Sequence, residues 1–379
     1  MTIKAHANDD ASSRWWQALA NRRSYSKALD RVAKAHGGRY ELPRGNFFLF
    51  GMGPREKFAY TGGKLIKAAT GEVVYAWTLG DEVIAPAEYT VAIRSRDARY
   101  AFIWEDEEAL WLQDRGQKHA IAKGSVRLPE FAGHRHRLLL RVLHQEMLVN
   151  VLHGKPLPNF FVYERPWYRD AAMMAMAFEK TGNLPVIAEW ILSLQEPFDR
   201  NNKNETEPDN LGECLYLVSL VSDLSHPLVP KVFREMDKFK KNRYLEGRTD
   251  FAAHPVYQTK WAKYGLKSLG LTDPYIVPKV QDSYAALFWW AYKDDDLPGQ
   301  PLPADPRYPY LGWASSHYAG NKAGKLSDRD YPLTWEADAS EADYRGMARV
   351  APEFAAKRTC SPHAWHAAEA FLYLLEEGD

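Results

Sequence analysis

The chain has 379 residues, of which 46% are apolar and 26% are charged, the balance of an ordinary globular protein rather than a disordered one. Its 49 Lys and Arg residues equal its 49 Asp and Glu residues, so no net charge favours binding to nucleic acid or to an anionic membrane. No apolar run approaches the roughly 20 residues that cross a bilayer, and we expect no membrane partner.

The N-terminal residues are polar and lack the apolar core of a secretory signal. The sequence as it stands therefore predicts a cytoplasmic protein, and a secreted one if a signal has been cleaved off. Residues 12–36 then place apolar side chains such as Trp15, Leu19 and Leu29 at helical spacing, and Gly37 ends the pattern. We expect this helix to act as a lid or to pack on the next region.

Short β-rich runs fill residues 46–114, at 47–50, 58–60, 73–79, 89–96, 100–105 and 109–113. Turn-forming segments such as Thr-Gly-Gly-Lys at 61–64 separate them, and apolar and polar residues alternate within them. The pattern predicts an antiparallel meander or small sandwich of about six strands. Together with the first helix it forms a predicted domain at 1–124.

Amphipathic helices follow one another in a second predicted domain at 125–379, so the fold class is α+β. We predict helices at 134–153, 169–181, 184–194, 210–222, 227–239, 256–268, 278–293, 341–354 and 362–376. The loops at 195–209 and 294–340 are longer than packed helices need, and long loops often carry function. The chain also has 13 Trp, 21 Tyr and 16 Phe residues, whose flat rings stack on the apolar faces of sugars.

The segment 163–177 is the first candidate for a site. Pro166 precedes a predicted helix whose first turn contains Arg169 and Asp170, with Trp167 beside them. Polar groups at the mouth of a helix can face a ligand, and the alternative is a helix cap with a local ion pair.

Two short stretches resemble glucoamylase-like six-hairpin glycosidases. Trp-Tyr-Arg-Asp-Ala-Ala at 167–172 is similar to the Trp-x-Arg-Asp-Ala/Gly-Ala stretch of that superfamily, and Ser-Pro-His-Ala-Trp-His-Ala-Ala-Glu at 361–369 is similar to its Pro-x-x-Trp-x-x-Ala-Glu helix. The resemblance implies an N-terminal β-sandwich before an (α/α) helical toroid, although the helical part here, 125–379, is short for the twelve helices of a complete toroid. It also implies that Arg169 and Asp170 bind hydroxyls of a terminal sugar and that Trp167 forms a wall. The usual Trp-Glu-Glu acid motif of the superfamily is absent from this sequence.

The segment 199–213 is dense in acids and amides and ends at a predicted helix start. Glycoside hydrolysis uses a protonated acid and a second carboxylate, about 5 to 10 Å apart. Glu207 or Asp209 is the candidate acid, and Asn210 is a candidate substrate-binding amide. The alternative is a solvated loop in which Asp209 or Asn210 caps the helix.

The segment 305–340 is rich in aromatic and acidic residues, and apolar rings need cover or a ligand. We expect it to fold over a cleft, with Trp335 as a stacking face and Glu336 as the opposing base or nucleophile. The alternative is packing against helix ends.

A fourth set supports a different chemistry. His254, Tyr257, Asp282 and Tyr284 lie near predicted helix starts and are candidate substrate-binding residues, with ordinary helix caps and half-buried aromatics as the alternative. A Tyr or His base there would instead suit β-elimination at a uronic acid. The second candidate function is therefore a polysaccharide lyase, and a third is a non-catalytic carbohydrate-binding protein.

Motifs for phosphate binding, serine hydrolysis, zinc proteolysis and dinucleotide binding are absent from the sequence. The two cysteines, Cys214 and Cys360, have no CxxC spacing, and Cys214 falls in an apolar helical pattern, so we expect a buried thiol there, no cofactor and no metal. The leading prediction is a glycosidase acting on an oligo- or polysaccharide, with Glu207, Asp209 and Glu336 as candidate catalytic residues. The oligomeric state and the sugar are left open.

Overall fold

The computed structural model of the chain describes residues 2–36, 38–200, 204–250, 252–280, 282, 326–339 and 342–377. Within these ranges the protein is α+β, as predicted, with two antiparallel sheets in the N-terminal part and mainly helices after them. Among the same residues, no helix is both long and apolar enough to span a membrane.

Nine strands form the two sheets, in chain order β1 Phe47–Phe50, β2 Phe58–Thr61, β3 Lys64–Lys67, β4 Val73–Ala76, β5 Leu79–Ala85, β6 Thr90–Ser95, β7 Tyr100–Glu105, β8 Ala109–Asp114 and β9 Gln117–Lys123. The first sheet has the order β1-β2-β3-β4 and the second the order β5-β6-β7-β8-β9. The expected number of about six strands is too low, because β3, β5 and β9 carry many polar residues and lack a clear apolar alternation.

Side-chain alternation gives the five-stranded sheet two buried faces. Ala92 and Phe102 lie on the face covered by the N-terminal helix α1, Thr2–Ala35, which packs Trp15 against them. Val91 and Ile103 lie on the opposite face and join the main core. The first helix is therefore a packing element, and it begins earlier than the predicted residue 12.

In the described part of the chain, the helices after the sheets are α2 Arg137–Val149, α3 Tyr168–Thr181, α4 Pro185–Leu192, α5 Asp209–Ser219, α6 Val229–Phe239, α7 Pro255–Ser268, α8 Arg345–Val350, α9 Pro352–Ala356 and α10 Ala364–Glu376. Most agree closely with the predicted bounds. The predicted helix at 341–354 is instead divided at Ala351, because Pro352 begins a new helix. Most of the predicted helix at 278–293 lies outside the described residues.

Helix α10 packs against both α2 and α3, and α5 packs against both α3 and α7. The contact between α5 and α7 is very close because both helices have a glycine there. A Cβ at Gly212 would collide with the backbone of Trp261, and a Cβ at Gly265 would collide with the carbonyl oxygen of Gly212. These packed helices place the first turns of α3, α5 and α10 near one another.

The helical region also contains short β pairs that the sequence did not indicate. Each strand in these pairs has two residues. Four pairs in the described ranges are antiparallel: Val151–Leu152 with Lys155–Pro156, Lys240–Lys241 with Tyr244–Leu245, Arg248–Thr249 with Ala252–Ala253, and Glu336–Ala337 with Thr359–Cys360. A fifth pair, Arg39–Tyr40 with Leu326–Ser327, is parallel. Two of these pairs hold residues of the candidate site.

Candidate functional site

The site is organised around the start of α3. Trp167 has an extended backbone, and the helix begins at Tyr168. The backbone N–H of Tyr168 donates a hydrogen bond to Asp199 Oδ2 over 2.7 Å, so a carboxylate from a distant segment caps the helix. Burial raises the pKa of Asp199 to about 6, while this hydrogen bond and Arg169 oppose the rise.

Arg169 extends from this first turn into a cluster of three carboxylates. Its Nη1 lies 2.9 Å from Asp250 Oδ2, and its Nη2 lies 3.1 Å from both Glu207 Oε2 and Asp209 Oδ2. The side chains of Arg169, Glu207 and Asp209 are at most 5% exposed, whereas that of Asp250 is 31% exposed. The guanidinium is therefore held by protein carboxylates, and solvent reaches the cluster through Asp250.

The short β pair at 248–253 closes this arginine cluster. The Thr249 hydroxyl donates to Asp209 Oδ1 over 2.6 Å, and the backbone N–H of Asp250 donates to Glu207 Oε1 over 2.6 Å. Burial raises the pKa of Glu207 to about 8; Arg169 opposes this rise, and Asp209 and Asp250 add to it. At neutral pH, Glu207 is thus mainly protonated and able to act as an acid.

A second cluster surrounds Glu336. Its Oε2 accepts a hydrogen bond from the Tyr163 hydroxyl over 2.5 Å, and it lies 2.9 Å from His363 Nε2 and 3.8 Å from Cys360 Sγ. The Glu336 side chain is 15% exposed, whereas His363 and Cys360 are buried. Glu336 is therefore held on one oxygen by groups from two other segments.

Asp170 lies between the two clusters. It is buried, and burial raises its pKa to about 7; His363 and Arg169 oppose this rise, and Glu336 adds to it. Burial lowers the pKa of His363, but Glu336 and Asp170 together raise it above the ordinary histidine value. Asp170 Oδ1 has no hydrogen-bond partner within the described part of the chain. A buried oxygen without a partner is unusual in a folded protein and marks Asp170 as a candidate functional group.

Trp167 forms an aromatic edge beside the Glu336 cluster. It is half-buried and packs edge-on against Tyr163, with ring centroids 5.0 Å apart. Its indole Nε1 has no hydrogen-bond partner among the residues that the structure describes. Trp167 therefore combines a half-buried apolar ring with a buried polar atom that lacks a partner there.

Two other candidates have structural roles in this arrangement. Asn210 is buried and donates to Glu213 Oε2 over 3.0 Å, so its amide holds the start of α5. Trp335 is 3% exposed and packs edge-on against Tyr40, so its ring is a core side chain rather than the open stacking face that the sequence suggested. The ring is buried because the adjoining segment runs between the four-stranded sheet and the start of α10.

The candidates for elimination chemistry meet at the start of α7. Asp282 Oδ2 accepts the backbone N–H groups of Val256 and Tyr257, and Asp282 Oδ1 lies 3.0 Å from His254 Nδ1. Burial and Glu213 raise the pKa of Tyr257 well above its ordinary value, which disfavours a tyrosinate base. Tyr284 lies outside the described residues.

The sequence did not indicate Asp250, Cys360 or His363 as residues of the site. Asp250 comes from a short β pair that has no sequence signature. Cys360 and His363 have the spacing C-x-x-H, and this signal would have indicated a joint role. The other thiol, Cys214, is buried in α5 as expected.

No family model, curated protein or solved structure matches this chain. The interpretation of the site therefore depends on its own geometry and chemistry.

Proposed function

We propose that the protein is a glycoside hydrolase that cleaves an oligo- or polysaccharide with two carboxyl groups. The proposal is supported chiefly by one observation: acidic residues from distant segments lie close to residues at the first turn of α3. Arg169 contacts Glu207 and Asp209 on one side, and Tyr163, just before the turn, contacts Glu336 on the other. Segments that are far apart in sequence thus bring acids and aromatic rings to one place.

In this proposal Glu207 is the general acid that protonates the leaving oxygen. Its raised pKa, about 8, keeps the proton available at neutral pH. Glu336 is the opposing carboxylate, which either activates water or attacks the sugar. Asp170 binds a hydroxyl, and Trp167 supplies a stacking face beside it.

Two residues have roles that differ from those that the resemblance implied. Arg169 directs its guanidinium to three protein carboxylates, so we assign it to holding Glu207 rather than to binding sugar. Asp209 is fully buried between Arg169 and Thr249, which supports a structural role and leaves Glu207 as the acid. We also propose that the helices packed around α3 and α5 belong to an (α/α) toroid, the architecture that the resemblance implies.

The lyase alternative receives less support. Elimination needs a base with a free lone pair at the uronic acid, and the surroundings of Tyr257 favour its protonated form. The Asp282 carboxylate beside His254 also caps helix α7, which gives this pair a structural explanation.

A panel of aryl glycosides and oligosaccharides tests the proposal. We expect the wild-type protein to release reducing ends and Glu207→Gln to lose about 100-fold or more in kcat. An activated leaving group such as dinitrophenolate needs no acid, so it should restore turnover in Glu207→Gln but not in Glu336→Gln. Glu353→Gln, at an exposed position of α9, is the matched control and should keep wild-type turnover.

Three outcomes would contradict the proposal. An ultraviolet-absorbing unsaturated product would indicate a lyase instead. Binding of oligosaccharides without any turnover would indicate a binding protein. Full turnover in folded Glu207→Gln and Glu336→Gln would remove both proposed carboxyl groups.

A further inference from the structure

We propose that Glu336, Cys360 and His363 form a binding site for a zinc ion. One potential ligand atom from each residue lies within 4.8 Å of the other two. Two of the pairs are close: His363 Nε2 and Glu336 Oε2 are 2.9 Å apart, and Cys360 Sγ and Glu336 Oε2 are 3.8 Å apart. The sequence predicted no metal, because Glu336 is separated along the chain from Cys360 and His363.

The chemical types of the three ligand atoms indicate which metal ion the site would bind. A thiolate, an imidazole and a carboxylate are ligands that zinc accepts, whereas magnesium and calcium prefer oxygen alone. In tetrahedral zinc sites with ordinary bond lengths, neighbouring ligand atoms lie about 3.3 to 3.7 Å apart. The two close pairs lie on either side of this range and the third pair lies within 4.8 Å, so the side chains would have to shift to surround an ion. Three protein ligands leave a fourth position for water or substrate, as in catalytic zinc sites.

The backbone holds the three ligands in place before any ion binds. Glu336 and Cys360 are direct partners in an antiparallel β pair, which places their side chains next to each other. His363 is the residue before α10, and its backbone N–H donates to the Thr334 hydroxyl over 3.1 Å. A site fixed by backbone pairing has little ordering entropy left to lose when the ion binds.

Neighbouring groups also fit the surroundings of a metal site. Metal-binding side chains are usually oriented by a further shell of hydrogen bonds. The Tyr163 hydroxyl donates to Glu336, and Asp170 lies close enough to His363 for their charges to interact. His363 Nδ1 has no hydrogen-bond partner in the part of the chain that is described. A carboxylate near a histidine ligand is a common feature of zinc sites.

Zinc binding does not depend on the glycosidase proposal, but it would change one role in it. With the ion bound, Glu336 would be a ligand, and the ion instead of Glu336 would activate the attacking water. Glu207 remains the acid in either case, because its cluster is built on Arg169 rather than on Glu336.

The test is metal content and spectroscopy on the full chain. We expect about one zinc per chain after purification without chelators, and we expect cobalt added to the chelator-treated protein to give a thiolate charge-transfer band. Cys360→Ser should abolish that band and weaken zinc binding by about 10-fold or more. Cys214→Ser removes the other buried thiol and should bind zinc like the wild type.

X-ray absorption of the zinc-loaded wild type provides a test that needs no variant. One sulfur in the first coordination sphere supports the site, and a sphere of oxygen and nitrogen alone overturns it. Failure of the chelator-treated wild type to bind zinc, or wild-type binding by Cys360→Ser, would also overturn it. Zinc binding without sugar hydrolysis would leave the site standing and refute only the glycosidase, and hydrolysis by a protein that binds no zinc would do the reverse.

Discussion

The buried guanidinium of Arg169 should be essential for stability, and Arg169→Met tests this directly. Methionine has a similar length but carries no charge, so the substitution leaves the carboxylates of Asp209 and Asp250 without their cation, while Glu207 loses a hydrogen-bond donor. Glu207 and Asp209 are at most 5% exposed and would keep little access to water. The side chain of Asp250 is 31% exposed, so water can replace part of what it loses.

The expected loss follows from these exposures. Removing one partner from a buried ion pair costs about 3 to 5 kcal/mol, because the remaining charge stays buried without compensation. The loss of the ion pair with the partly hydrated Asp250 adds little to this cost, since exposed ion pairs contribute at most about 1 kcal/mol. We therefore expect Arg169→Met to lower the free energy of unfolding by about 3 to 5 kcal/mol at pH 7. Adding Asp209→Asn removes one uncompensated charge and should recover part of this loss.

Urea unfolding followed by tryptophan fluorescence measures the effect. Arg345→Met is the matched control, because Arg345 also pairs with a carboxylate, Asp343, but its side chain is 87% exposed. We expect this control to change stability by no more than about 0.5 kcal/mol. A loss below about 1 kcal/mol for Arg169→Met would refute the reasoning that the carboxylates depend on this cation.

Two further predictions concern stability. Burial raises the pKa of Glu146 from 4.5 to about 8, while its hydrogen bonds from Leu333 and Thr334 oppose the rise. The folded state thus holds a proton that the unfolded state releases between these pH values, and stability falls as pH rises. Glu146→Gln should reduce this fall by up to about 1.4 kcal/mol per pH unit, and an unchanged pH slope would contradict the assignment. Gly212→Ala should destabilise the protein by about 1 to 3 kcal/mol or more because of its contact with Trp261, and wild-type thermal stability would show that the α5–α7 contact can relax.

Local patterns predicted most of the fold. Helical periodicity, with Pro185 at the start of α4 and Pro255 at the start of α7, placed these helices to within about two residues, because both signals act within a few residues along the chain. Strands such as β3 and β9 were missed because their stability comes from neighbours across the sheet. The same reason explains the unpredicted β pair that holds Glu336 opposite Cys360.

Residue type indicated which segments supply the candidate site but not what each side chain contacts. Trp167 and Trp335 are equally suited to stacking in the sequence, yet one is half-buried beside Tyr163 and the other packs in the core against Tyr40. Arg169 matched a sugar-binding motif, and its actual partners became clear only from the packing of α3 against α5. Roles of this kind depend on tertiary contacts, which a single sequence does not contain.

Arg169 belongs to one cluster and Asp170 lies beside the other, and because the two residues are consecutive, both clusters are joined to the first turn of α3. Consecutive Cα atoms are 3.8 Å apart, and a helical turn fixes their relative direction as well. The distance between the backbone positions of Arg169 and Asp170, one beside each cluster, is therefore set by this helical turn and not by the surrounding loops. Changes outside this helix start can therefore alter the surroundings of each cluster without altering the spacing of Arg169 and Asp170.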